Sequence, residues 1–73
     1  MALRYNTLDA STSAQVASTL ILEGSKIDAM IRRISENKGW SIEEVNNYLD
    51  AGKTLYVRSD QFIYQLYYTH AEH

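Results

Sequence analysis

No cysteine occurs anywhere in these 73 residues, so disulfides and thiolate metal sites are both excluded. Proline is absent as well, and glycine occurs only three times, which leaves no proline-rich linker and no glycine-rich phosphate loop. Apolar stretches such as Leu20-Ile21-Leu22 fall far short of the ~20 residues that span a bilayer. The opening MALRYNTLDAS carries one arginine and no apolar run, so it does not read as a signal peptide. Positive charge is also scarce: seven Lys and Arg stand against nine Asp and Glu, a net charge of −2. That balance disfavours nucleic acid as the main partner, because phosphate neutralisation supplies most of such affinity. The absences together describe a cytoplasmic chain with no membrane segment, no cofactor and no small-molecule substrate. Lack of cysteine suits a reducing compartment.

What the chain does contain is an ordinary apolar fraction, 45%, too high for a disordered segment. Residues 1–73 make one small domain. A chain of this length buries only roughly 60% of the surface its unfolded form exposes, so its stability margin is thin. With neither disulfide nor metal to compensate, a partner chain is the remaining support.

Gly24, Gly39 and Gly52 divide the chain into segments of helical length. The clearest helix runs from about Ser41 to Ala51. Ser41-Ile42-Glu43-Glu44 has capping-box spacing, Trp40 and Val45 take the two positions of a hydrophobic staple, and Ile42, Val45, Tyr48 and Leu49 share a face. A second helix follows Ser25, with Ile27, Met30, Ile31 and Ile34 on one stripe and Gly39 as its stop. The segment from Thr12 to Ile21 reads as a further helix, with a Thr12–Gln15 capping box and Val16, Ala17, Leu20 and Ile21 on one face. Its serines and threonines lower the intrinsic propensity, so packing must hold it. Thr54 to Arg58 reads as a short strand, and Leu3 to Leu8 as an edge strand beside it. For Gln61 to Thr69 a helix with Phe62, Ile63, Leu66 and Tyr67 on one side is preferred. A strand with Phe62, Tyr64, Leu66 and Tyr68 on one side stays open, its Ser59-Asp60 turn lacking the usual glycine. The expected fold is therefore α-rich (α+β), a compact three-to-four-helix domain with a short C-terminal strand or hairpin.

Groups suited to catalysis are few. His70 and His73, beside Glu72, have metal-ligand spacing on a helix, but a solvated tail explains them better, so no metal is expected. Glu43, Glu44 and Asp50 share one helix without a cleft to separate their pKa values. No serine lies in a nucleophile-elbow pattern. The chain is expected not to be an enzyme.

Binding is better represented. Lys26, Arg32 and Arg33 on the second helix, with Lys53, Asn46 and Asn47, form a candidate nucleic-acid surface, although Asp28 and Glu36 interleave with the cations as on a solvated helix face. The aromatics Tyr56, Phe62, Tyr64, Tyr67 and Tyr68 exceed what so small a core can hide, and tyrosine suits an interface. Tyr64, Tyr67, Tyr68, Trp40 and Tyr56 are the expected contacts with a protein partner or a second copy, Tyr64 and Tyr68 foremost.

The order of a helix, Gly52-Lys53, the strand Leu55 to Arg58, then Ser59-Asp60 and an apolar helix with Phe62 and Leu66 resembles the end of an excisionase or MerR-type winged helix. The resemblance covers under a third of the chain. It implies that the helix before Gly52 enters the major groove, yet that helix carries Glu43, Glu44 and Asp50, leaving only Asn46 and Asn47 as base readers. The leading expectation is accordingly a non-enzymatic regulator, adaptor or inhibitor of a larger partner, of the kind phages and mobile elements often encode. A small winged-helix-like nucleic-acid-binding regulator and a self-associating structural subunit are the alternatives.

Overall fold

Six elements follow in the order β-β-α-α-β-β in the computed structural model, which describes residues 2–69. They are β1 (Ala2–Asp9), β2 (Leu20–Leu22), α1 (Ser25–Lys38), α2 (Ile42–Asp50), β3 (Leu55–Ser59) and β4 (Phe62–Thr69). The four strands form one antiparallel sheet in the order β2-β1-β4-β3. Expectation of a three-to-four-helix, α-rich domain is thereby overturned: there are two helices among the described residues, and a four-stranded sheet carries the rest of the architecture.

Both helices form where local signals place them. In α2, the Ser41 side chain accepts from the Glu44 amide while the Glu44 carboxylate accepts from the Ser41 amide, so the capping box is complete. In α1, Ile31 and Ile34 are buried and Gly39 closes the helix at φ 73°, its amide donating to the Ser35 carbonyl. Its N-terminus differs from expectation, because the cap position falls on Gly24 and no side chain bonds there.

The expected helix from Thr12 to Ile21 does not exist. The Asp9 carboxylate accepts from the amides of Ser11 and Thr12 and from the Ser11 hydroxyl, folding the chain into a turn that Ser13 continues at φ 64°. Such local side-chain bonds compete directly with helix formation. Thr12 then receives the Ala14 amide rather than that of Gln15, and Gln15 bridges to Leu8 across the sheet edge. Those bonds hold the Asp9 carboxyl below the usual carboxylate range, the Ser11 hydroxyl contributing most. A lowered folded-state pKa adds stability above the unfolded value of ~3.9 that is lost as pH falls through the folded value. The Tm gap between wild type and Asp9→Asn is therefore expected to narrow as melts are taken down to about pH 2. A constant gap would refute this account of the turn.

Gln61 to Thr69, preferred as a helix, is strand β4. Ser59 pairs with Phe62, so Asp60 and Gln61 make the turn, and Asp60 takes the left-handed φ of 52° that a glycine would usually supply. Aspartate tolerates that region better than most side chains, which is why the turn closes without a glycine. The winged-helix resemblance fails at the same point, since it needs a helix after Asp60. β1 is longer than expected and lies in the sheet interior rather than at an edge. It pairs with β4 from Ala2↔Thr69 to Asp9↔Phe62 and never meets β3.

Register assigns the faces. Leu3 and Tyr5 of β1, Tyr64, Leu66 and Tyr68 of β4, and Leu55 and Val57 of β3 stand together on the side that the helices cover. The core comprises Leu3, Leu55, Val57 and Leu66 from the sheet, Ile31 and Ile34 from α1, and Val45 and Leu49 from α2. Both helices lie on that side, and among the described residues the other face of the sheet carries no helix.

Candidate binding surface on the open face of the sheet

Alternation puts Ile21 of β2, Arg4, Asn6 and Leu8 of β1, Ile63, Gln65 and Tyr67 of β4, and Tyr56 and Arg58 of β3 on the helix-free face. They line up in rows across the strands. Ile21, Arg4 and Tyr67 make one, and Leu8, Ile63 and Arg58 another. Between them lies a chain of side-chain hydrogen bonds that crosses the sheet. The Thr19 hydroxyl donates to the Asn6 carbonyl at 2.6 Å, the Asn6 amide to the Gln65 carbonyl at 2.9 Å, and the Gln65 amide to the Tyr56 hydroxyl at 3.3 Å. Asn6 is the one buried polar residue among those described, and both ends of its amide are satisfied by this chain. Burial without partners would cost about 1–3 kcal/mol, so the row holds the face in one arrangement.

Around that row the face is apolar and cationic. Ile21 and Tyr56 are about half exposed, at 53% and 48%. Arg4 and Arg58 are its two charged residues, and no strand position on it is acidic. Tyrosine and arginine are the side chains that protein interfaces favour, because each combines a large flat contact with directional hydrogen bonds. A surface of this kind can bind and orient a partner.

Of the residues expected to form an interface, Tyr56 and Tyr67 lie here. Tyr64 and Tyr68 lie on the opposite face, packed against the core, because a strand alternates where the preferred helix would have grouped them outward. Burial raises the Tyr68 phenol above its ordinary pKa, and the carboxylates of Asp50 and Asp28 add to the effect, which places the ring near the helices. Trp40 sits between α1 and α2, edge-on to Tyr48 at 5.4 Å, with the Lys38 ammonium 5.7 Å from its ring centroid. This group is far from the face in architecture, belonging to the helical layer.

The residues expected to meet nucleic acid are all in the helical layer or its following loop. Lys26, Arg32 and Arg33 belong to α1, Asn46 and Asn47 to α2, and Lys53 follows α2 with its ammonium 5.3 Å from the Tyr48 ring centroid. They share no surface with Tyr56 and Tyr67. Among the described residues no group of three His, Asp or Glu is gathered to hold a metal, and His70, Glu72 and His73 lie outside those residues. No helix of the described residues is long and apolar enough to cross a membrane.

Sequence reasoning missed Arg4, Asn6, Ile21 and Arg58. The signal was available in the alternation of Arg4, Asn6 and Leu8 with Leu3, Tyr5 and Thr7, once β4 is read as a strand beside them. The fold and face define an α+β sandwich of two layers, one sheet and two helices, with a solvent-facing sheet surface. Compared with protein-family models, curated proteins and solved structures, the chain matches none.

Proposed function

We propose that this chain is a non-enzymatic binding protein, an adaptor or inhibitor, that docks a protein partner on the open face of its sheet. One observation carries the reading: among the described residues a whole sheet face is left without a helix, and its strand positions combine exposed Tyr56 and Ile21 with Arg4 and Arg58 and no carboxylate. Its complement is a partner surface with an apolar centre and carboxylates around it, so that Arg–carboxylate pairs flank the aromatic contact. The cytoplasm, which a chain without cysteine suits, is the compartment we assign.

The test is a pair of substitutions on this face against one on the helical layer. Tyr56→Asp with Arg4→Glu is expected to weaken a partner purified from the native host at least about tenfold, a change of ~1.4 kcal/mol. Glu43→Lys, on the exposed side of α2, should leave the affinity unchanged. Retention of the partner by the double variant would overturn the reading, provided its amide spectrum matches that of the wild type.

Arg4 and Arg58 beside Tyr67 and Tyr56 also favour a second reading, in which single-stranded nucleic acid stacks on the sheet. Stacking platforms of this kind pair aromatic rings with a cationic track. Affinity for an oligonucleotide would then fall steeply as salt is raised, whereas the protein-partner reading expects no oligonucleotide binding at moderate salt. A second copy seated on the face would appear as concentration-dependent sedimentation.

A further inference from the structure

On the opposite side of the sheet, a cleft of about 140 Å³ opens between α1 and the strands β1, β3 and β4. Ile34, Val57 and Leu66 make its apolar floor. Tyr5 and Tyr64 form one wall, their ring centroids 5.3 Å apart and the planes tilted by 35°. Arg33 and Asn37, one helical turn apart on α1, border it from the other side. The helix stripe explains why the cleft exists. Ile31 and Ile34 turn into the core, while Arg33 and Asn37 fall at the margin of the same face, too polar to close over Val57.

Its chemistry is one-sided. The Arg33 guanidinium, the Asn37 carboxamide, two phenol hydroxyls and Ser59 surround the apolar floor, and no Asp or Glu is among the described residues that line it. Burial, followed by the neighbouring Tyr64, raises the Tyr5 phenol above its ordinary pKa, against the pull of Thr7 and Arg33. Tyr5 therefore keeps its proton and remains a hydrogen-bond donor at neutral pH. The volume is close to the ~150 Å³ of an engineered apolar cavity that takes benzene, and well under the ~300 Å³ at which drug-sized pockets begin.

From this geometry we infer that the cleft is a binding site for a benzene-sized apolar group bearing a carboxylate, the group resting on Val57 and Leu66 and the carboxylate pairing with Arg33. Planar guanidinium and carboxylate make paired hydrogen bonds, which a hydroxyl or an ammonium on the same carbon skeleton does not reproduce. Such a group is carried by a free aryl acid or by the last residue of a peptide ending in phenylalanine. The site is independent of the partner proposed for the open face, since the sheet separates the two.

Titration of the full chain with phenylacetate, followed in amide correlation spectra, tests the inference. Shifts are expected at Tyr5, Arg33, Asn37 and Tyr64, with an affinity at least about tenfold above that for 2-phenylethanol or 2-phenylethylamine, consistent with a charge-assisted pair. Arg33→Gln, at an exposed helix position that accepts glutamine, should bring phenylacetate down to the level of the alcohol. Acetyl-glycyl-phenylalanine and its C-terminal amide distinguish the sources. Tighter binding of the peptide acid than of both its amide and phenylacetate assigns the site to a chain terminus, and binding of phenylacetate alone assigns it to a free acid. Equal binding of the alcohol or amine, no binding of either acid, or an unchanged Arg33→Gln would overturn the assignment.

Discussion

Leu66→Ala is expected to lower stability by roughly 2–5 kcal/mol, the range for a leucine removed from a packed core. Leu66 is 1% exposed and pairs with Tyr5 on one side and Leu55 on the other, so its loss opens a cavity in the middle of the sheet. Neighbouring strands cannot collapse into that space without breaking their ladder. A chain of this size has about 4–11 kcal/mol of stability in all, so the variant gives up a large share of it. The Tm should fall by at least about 8 °C, taking ~4–8 °C per kcal/mol for a domain this small. Leu20→Ala removes the same side chain from edge strand β2, where it is 56% exposed. Its expected cost is within about 0.5 kcal/mol, as for surface changes in general. Thermal and denaturant unfolding of the two variants side by side provide the check. Similar losses in both would mean that β2 packs far more tightly than its exposure indicates.

Tyr68→Ala and Tyr56→Ala are expected to separate stability from binding. Tyr68 faces the helices and packs on the core, half-buried. Truncation should cost about 2 kcal/mol, roughly half the value for a fully buried aromatic, and lower the Tm by about 10 °C. Tyr56 projects from β3 on the open face, and its hydroxyl meets only the Gln65 amide, which water can replace. Its removal should leave the Tm nearly unchanged and weaken the proposed partner. Because the two rings belong to neighbouring strands of opposite facing, the comparison reads out the register directly. A partner lost with Tyr68→Ala while its fold is retained would return the interface to the helix-covered side.

How much of this was legible differs from element to element. The capping box at Ser41 and Glu44 lies within four residues, and its two hydrogen bonds form as their spacing requires. The stripe from Ile27 to Ile34 likewise needs nothing outside α1. The segment from Phe62 to Thr69 is different, because its apolar residues satisfy both a helical and an alternating pattern. Only its pairing with β1, whose partners lie some sixty residues away, selects the strand. Asn6 and Gln65, 59 positions apart, meet through that pairing and no other. The turn at Asp60 gave no glycine to announce it.

The sequence by itself determined the two helices and their stops, since each rests on hydrogen bonds and contacts made within a turn or two of chain. It marked the short strand after Gly52 by its β-branched and aromatic residues. Tertiary structure alone decided that Leu20 to Leu22 is an edge strand, that β1 and β4 lie side by side, and that Tyr64 and Tyr68 face inward while Tyr56 and Tyr67 face out. The reason is the two-residue period of a strand. Which side a residue takes depends on register with a distant partner, and shifting that register by one position exchanges the faces.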